Sequence, residues 1–86
     1  VRASGESMIG AGIHDNDILV VDRALNAQAG DIIIACLNGE LTVKALQLKP
    51  YPALLSYNPD YPSIRLGSDA ELDVFGVVSH VIHRCR

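Results

Sequence analysis

Apolar residues fall in short blocks along this chain, and each block ends at a turn signal. Ile18-Leu19-Val20-Val21-Asp22 is almost wholly branched and apolar, which predicts a buried strand. Ile32 to Leu37 is a second such run, opened by Gly30-Asp31. Asn38-Gly39 then gives the strongest hairpin signal in the chain, because a type I′ turn needs positive φ at both central residues. The return strand runs from Glu40 to Leu48, with Leu41, Val43 and Ala45 on one face and Thr42, Lys44 and Leu46 on the other. Upstream, Val1 to Ala3 reads as a short strand, Ser4-Gly5 as a bend, and Ser7 to Gly12 as one helical turn. Downstream, Lys49-Pro50-Tyr51-Pro52 breaks the pattern. Ala53 to Tyr57 and Ser63 to Leu66 are short strands around the stiff loop Asn58-Pro59-Asp60-Tyr61-Pro62. Asp73 to His83 is a long final strand in which Gly76 marks a bulge or a close backbone approach. Strict alternation there would put Val74, Val78 and Ile82 on one side and Phe75, Val77 and Val81 on the other. Both faces would then be apolar, and a second copy of the chain is the expected cover for one of them. The pattern as a whole predicts an all-β fold, a sandwich or partly open barrel of short, mostly antiparallel strands.

A chain of 86 residues allows one domain, 1–86, with a modest core. With no Trp and a single Phe, Phe75, that core must be built from Ile, Leu, Val and Ala. Ten acidic against seven basic residues leave a net charge of −3, so the overall basic surface that phosphate backbones require is missing. A protein partner fits this balance better than direct nucleic-acid binding. No apolar run reaches the roughly 18 residues of a membrane span, so no membrane association is expected. Cys36 lies within an apolar run and Cys85 is next to last, which is no disulfide framework and suits a reducing compartment. The chain opens on strand-like residues, as if a preceding segment had been removed.

Two residues stand out chemically. Ser7 follows a glycine bend, and Lys44 lies on a strand with apolar neighbours. A serine needs a base to attack a carbonyl at neutral pH, and a lysine can be that base once burial lowers its pKa. Taken locally, the favoured reading is Ser7 as a helix cap and Lys44 as a solvated strand residue. Cys36 has no imidazole in its strand to activate it. His80 and His83 point to opposite faces of a strand and His14 is remote, so no metal site is expected. Asp15, Asp17, Asp22 and Asp31 each sit at a turn or strand start, where a carboxylate satisfies backbone donors. There is no glycine-rich phosphate loop, and no cofactor is expected.

The segments Ala3-Ser4-Gly5-Glu6-Ser7-Met8, Gly12-Ile13-His14-Asp15-Asn16-Asp17-Ile18-Leu19-Val20-Val21-Asp22, Gly30-Asp31-Ile32-Ile33-Ile34-Ala35 and Gly39-Glu40-Leu41-Thr42-Val43-Lys44 resemble the LexA-type self-cleaving peptidases. Leu72-Asp73-Val74-Phe75-Gly76-Val77-Val78-Ser79-His80-Val81, with Leu46-Gln47-Leu48, resembles the UmuD branch in particular. Residues 49–71 match least. The resemblance implies a LexA/signal-peptidase-like fold, with Ser7 as nucleophile, Lys44 as general base, and the backbone N–H groups of Glu6 and Ser7 as an oxyanion hole. It implies a cytoplasmic homodimer whose N-terminal arm is cut at an Ala-Gly or Cys-Gly bond when a RecA–single-stranded-DNA filament forms. The shortened dimer would then join a UmuC-type error-prone polymerase. That arm is not in the chain, which thus resembles the processed form. Ala29-Gly30 has the right letters but reads as a structural turn. The alternatives are the C-terminal dimerisation and self-cleavage domain of a LexA-like or phage repressor, and a non-enzymatic regulatory module.

Overall fold

Asn38 and Gly39 take φ of 49° and 88°, the left-handed pair that a tight hairpin needs. They join β2 (Ile32–Leu37) to β3 (Glu40–Gln47), with Leu37 opposite Glu40 and Ile33 opposite Lys44. This is the centre of a computed structural model that describes residues 1–85. The other strands are β1 (Ile18–Asp22), β4 (Ala53–Leu55), β5 (Ile64–Arg65) and β6 (Leu72–Ile82). All pairings are antiparallel, and the six strands form one open sheet in the order β1-β6-β2-β3-β4-β5. The all-β, antiparallel expectation holds. Cover for the sheet comes from irregular chain rather than from a second sheet.

Alternation along β2 builds a core on each face. Ile34 packs on one side with Ala3, Met8 and Ile13, which the N-terminal segment lays over the sheet, and with Leu19 and Ala45. Ile33 and Ala35 pack on the other with Leu46, Leu54 and Val77, flanked by Ile64, Leu66 and Leu72. The N-terminal segment is tied down by backbone bonds from Ala3 N–H to Asp17 O (2.8 Å) and from Asn16 N–H to Ala3 O (2.9 Å). A single 3₁₀ turn, Ile9–Ala11, follows the Ser7 bend. Of the expected strand at residues 1–3, one bridge between Arg2 and Ile18 forms.

Two expectations change. The β1 run is not buried on both faces: β1 is an edge strand, with Leu19 buried but Ile18 and Val20 exposed. Branched apolar residues suit central and edge strands alike, so composition alone did not separate the two. In β6 the simple alternation fails. Its register shifts opposite Ile34/Ala35 and again opposite Val20/Val21, which leaves Phe75 and Ser79 as extra residues. Val78 therefore pairs with Val21 on the Met8 side, whereas Ile82 pairs with Ile18 on the other, so Val78 and Ile82 do not share a face. β6 lies between β1 and β2, yet much of it is exposed.

Gly76 is a close-approach site. A Cβ there would lie 2.5 Å from Val21 Cγ1 and 3.0 Å from Asp22 O. Gly76→Ala should therefore destabilise the fold by about 1–3 kcal/mol, as overpacking does. Urea denaturation checks this. A midpoint equal to that of wild type would show that β1 can move aside without cost.

Candidate active site

Ser7 is placed by its backbone. Its carbonyl accepts a hydrogen bond from Tyr57 N–H (2.8 Å), and Tyr57 O in turn accepts from Gly10 N–H (2.7 Å). Asn58 Nδ2 donates to Glu6 O (2.9 Å), and Gly5 N–H donates to Asp15 Oδ1 (2.7 Å). Met8, next in the chain, is buried in the core and anchors the bend from below. A Cβ on Gly10 would come within 2.6 Å of Tyr57 O, so glycine is required where the two loops touch. Ser7 does not cap the 3₁₀ turn, whose N-cap is Met8 and which has no side-chain cap. The hydroxyl is free for another partner.

That partner is Lys44. Its Nζ donates to Ser7 Oγ at 2.8 Å and to Val43 O at 3.2 Å. Lys44 is only 9 % exposed, and burial pushes its amine below the ordinary lysine range. Strand geometry allows this placement. Leu46 bonds towards Asp31, so alternate residues Ala45, Val43 and Leu41 turn their backbone groups to the opposite edge. β4 pairs with β3 only from Ala45 to Gln47, so on the edge away from β2 residues 40–43 of β3 have no strand partner among the described residues. A cleft of about 260 Å³ opens there, lined by Arg2, Gly5, Ser7, Leu41, Val43 and Lys44 among others. Among the described residues, the N–H groups of Glu6 and Ser7 have no acceptor in the protein.

The contributions of Tyr57 and Asn58 to this site were not visible in the chain's local pattern. They come from the loop region that looked least informative, and nothing in the sequence links them to Ser7. Ala29-Gly30 is a turn leading into β2, with Gly30 N–H bonded to Leu46 O at 2.8 Å. The four spaced acids behave as read: Asp15, Asp17, Asp22 and Asp31 accept from the N–H groups of Gly5, His14, Ala24 and Gln28. Cys36 is half-buried and Cys85 exposed, and both are free thiols. No helix of the described residues is long and apolar enough to cross a membrane.

A second cluster lies away from Ser7, where β1 begins and β6 ends. Asp17 is buried, at 2 % exposure, and its Oδ1 accepts from His83 Nδ1 at 2.6 Å. His14 Nδ1 stands 3.7 Å from Asp17 Oδ2, and the two imidazole rings are 4.9 Å apart. The His14 amide, then the His83 side chain, hold the Asp17 carboxyl below its ordinary range. Sequence spacing had kept His14 and His83 apart. The strand ladder brings them together, because the pairing of Ile18 with Ile82 sets Asp17 beside His83.

The sequence profile described as peptidase S24-like matches residues 1–79. Protein ImpA of Salmonella typhimurium is 54 % identical over 86 residues, covering 100 % of this chain and 59 % of its own length. Protein MucA of Escherichia coli is 47 % identical over 81 residues, covering 93 % of this chain and 56 % of its own. The LexA repressor of Stenotrophomonas maltophilia is 37 % identical over 78 residues, covering 90 % and 37 %. The chain belongs to the peptidase S24-like family. It spans 59 % of the length of the ImpA protein it matches.

A buried amine that loses hydration costs folding energy while it is charged. In Lys44 the folded-state pKa is lowered, so the unfolded chain binds the extra proton and the penalty is largest below the folded pKa. Lys44→Met should raise unfolding stability at pH 7 by about 1 kcal/mol, at the low end of what replacing a buried charge yields. The gain should shrink as pH rises through the lowered pKa towards the ordinary lysine value of 10.5. Chemical denaturation of both proteins at several pH values checks this. A gain that grew with pH would contradict a desolvated Lys44.

Proposed function

We propose that this chain is the catalytic core of a self-cleaving serine peptidase of the UmuD type. The observation that carries this reading is the 2.8 Å contact between Ser7 Oγ and a Lys44 amine whose charge is disfavoured by burial. In this reading neutral Lys44 removes the hydroxyl proton as Ser7 Oγ attacks the scissile carbonyl. The oxyanion is held by the N–H groups of Glu6 and Ser7. Protonated Lys44 then gives its proton to the departing amide nitrogen, leaving an acyl ester on Ser7. Water, deprotonated by the same amine, hydrolyses that ester and regenerates Ser7. No third residue is needed, since an amine has no tautomer to fix. The substrate strand would lie along the uncovered edge of β3, pairing with the outward backbone groups of Leu41 and Val43. That position brings its carbonyl to Ser7.

The similarity to ImpA and MucA, higher than to the LexA repressor, supports the UmuD branch over a repressor domain. On this reading the substrate is the protein's own N-terminal arm. Cleavage answers a RecA–single-stranded-DNA filament in the cytoplasm, and the shortened homodimer serves a UmuC-type error-prone polymerase in the response to DNA damage. The dimer would use the β1–β6 face on which Ile18, Val20 and Ile82 are exposed.

Two measurements test this. In the arm-bearing protein, self-cleavage should rise about tenfold per pH unit and level off below the ordinary lysine pKa of 10.5. Ser7→Ala and Lys44→Ala should each lower the rate by at least about 10³-fold while the fold persists. Cleavage retained in Lys44→Ala would assign the base elsewhere. For assembly, Ile82→Asp should yield a monomer by sedimentation at micromolar concentration. Val78 would be a poor probe, because it packs against the core. A dimer unchanged by Ile82→Asp would move the interface away from this face.

A further inference from the structure

The cluster at the joined ends of β1 and β6 lies outside the cleft that holds Ser7 and Lys44. We propose that His14, Asp17 and His83 form a binding site for a divalent transition-metal ion, with Zn²⁺ as the fitting class. Ligand atoms from the three residues all lie within 4.8 Å of one another. Two imidazoles and one carboxylate are a donor set that zinc takes readily, with a water completing the tetrahedron. Bonds of about 2.0–2.2 Å would space the ligands roughly 3.4 Å apart. The 3.7 Å between His14 Nδ1 and Asp17 Oδ2 is close to that spacing. The 2.6 Å between His83 Nδ1 and Asp17 Oδ1 is shorter because a proton now bridges them. The ion would take that proton's place as the ring moves out slightly.

The surroundings favour the site. Asp17 is an anion buried at 2 % exposure, fixed by the His14 amide through Oδ2 and by its own backbone bonds to Ala3 and His14. Both imidazoles are about half exposed, so the site is open to entry and their rings can turn. The pocket beside it is lined by Asp15, Asp17, His83 and Arg84 among others, and its two carboxylates outweigh the guanidinium that opposes an ion there. His14 and Asp17 precede β1 and His83 follows β6, so an ion would clamp the ends of two paired strands. Asp15, in the same loop, holds the amide of Gly5, two residues before Ser7. The ion would thus steady the bend that carries the serine hydroxyl, and the site stands whether or not Ser7 cleaves anything.

The test uses the full-length protein, purified without a histidine tag and stripped of metal, titrated with ZnCl₂ in a calorimeter. One ion per chain with a Kd of about 10 µM or tighter is expected. His14→Ala and His83→Ala should each weaken binding by more than ~10-fold, since even a group behind a ligand is worth that much. Both positions are exposed enough for the fold to survive. His80→Ala and Cys85→Ser should bind as wild type does. Absence of stoichiometric binding would overturn the site. So would binding that survives the His14→Ala/His83→Ala double variant, or that is lost in Cys85→Ser alone.

Discussion

The chain must keep one amine out of water and within reach of one hydroxyl, and much of the fold answers to that constraint. Desolvation alone lowers the pKa of Lys44, with no neighbouring cation involved. An ammonium in this place is therefore held against its solvation preference by the packing around it. The hairpin fixes Lys44 opposite Ile33 in the centre of the sheet. The short reach of β4 leaves the adjoining edge open, so the amine lies at the rim of a cleft and not in a sealed core. Two acceptors, Ser7 Oγ and Val43 O, compensate part of the lost hydration. The same placement that costs folding energy favours the neutral amine, the form that the proposed base requires.

The serine side of the contact is built differently. Lys44 belongs to a ladder, whereas Ser7 belongs to a bend that no regular element supports. Its position is set by four backbone attachments, to Tyr57, Asn58 and Asp15 and through Gly10, and by Met8 in the core. None of these attachments is made by the strand that carries the lysine. The loop between β4 and β5 thus governs the site although it supplies no reacting group.

Local signals told the truth where local forces decide the outcome. The Asn38-Gly39 turn, the bounds of β1 and β2, and the bonds of Asp22 and Asp31 to nearby amides follow from backbone preferences acting over a few residues. The Ser7–Lys44 pairing was legible only through likeness to a family, because spacing along the chain says nothing about proximity across the sheet. The faces of β6 were misjudged because bulges at Phe75 and Ser79 reset the alternation, and only Gly76 hinted at one of them. The exposure of Ile18 and Val20 depends on where β1 joins the sheet, which is a property of topology and not of composition. The nearness of His14 to His83 arises from ladder register and could not be read from either residue's neighbours.

The notch at Gly76 has a consequence for the edge of the sheet. Val21 fills the space that any other residue's Cβ would occupy, so the two strands fit like key and lock. Slippage of β1 by one residue would carry Val21 out of the notch and turn Leu19 from the core to solvent. An outermost strand is ordinarily the part of a sheet most prone to sliding or to exchange with another molecule. Here a missing side chain on the neighbouring strand guards against sliding, since it gives β1 a single register.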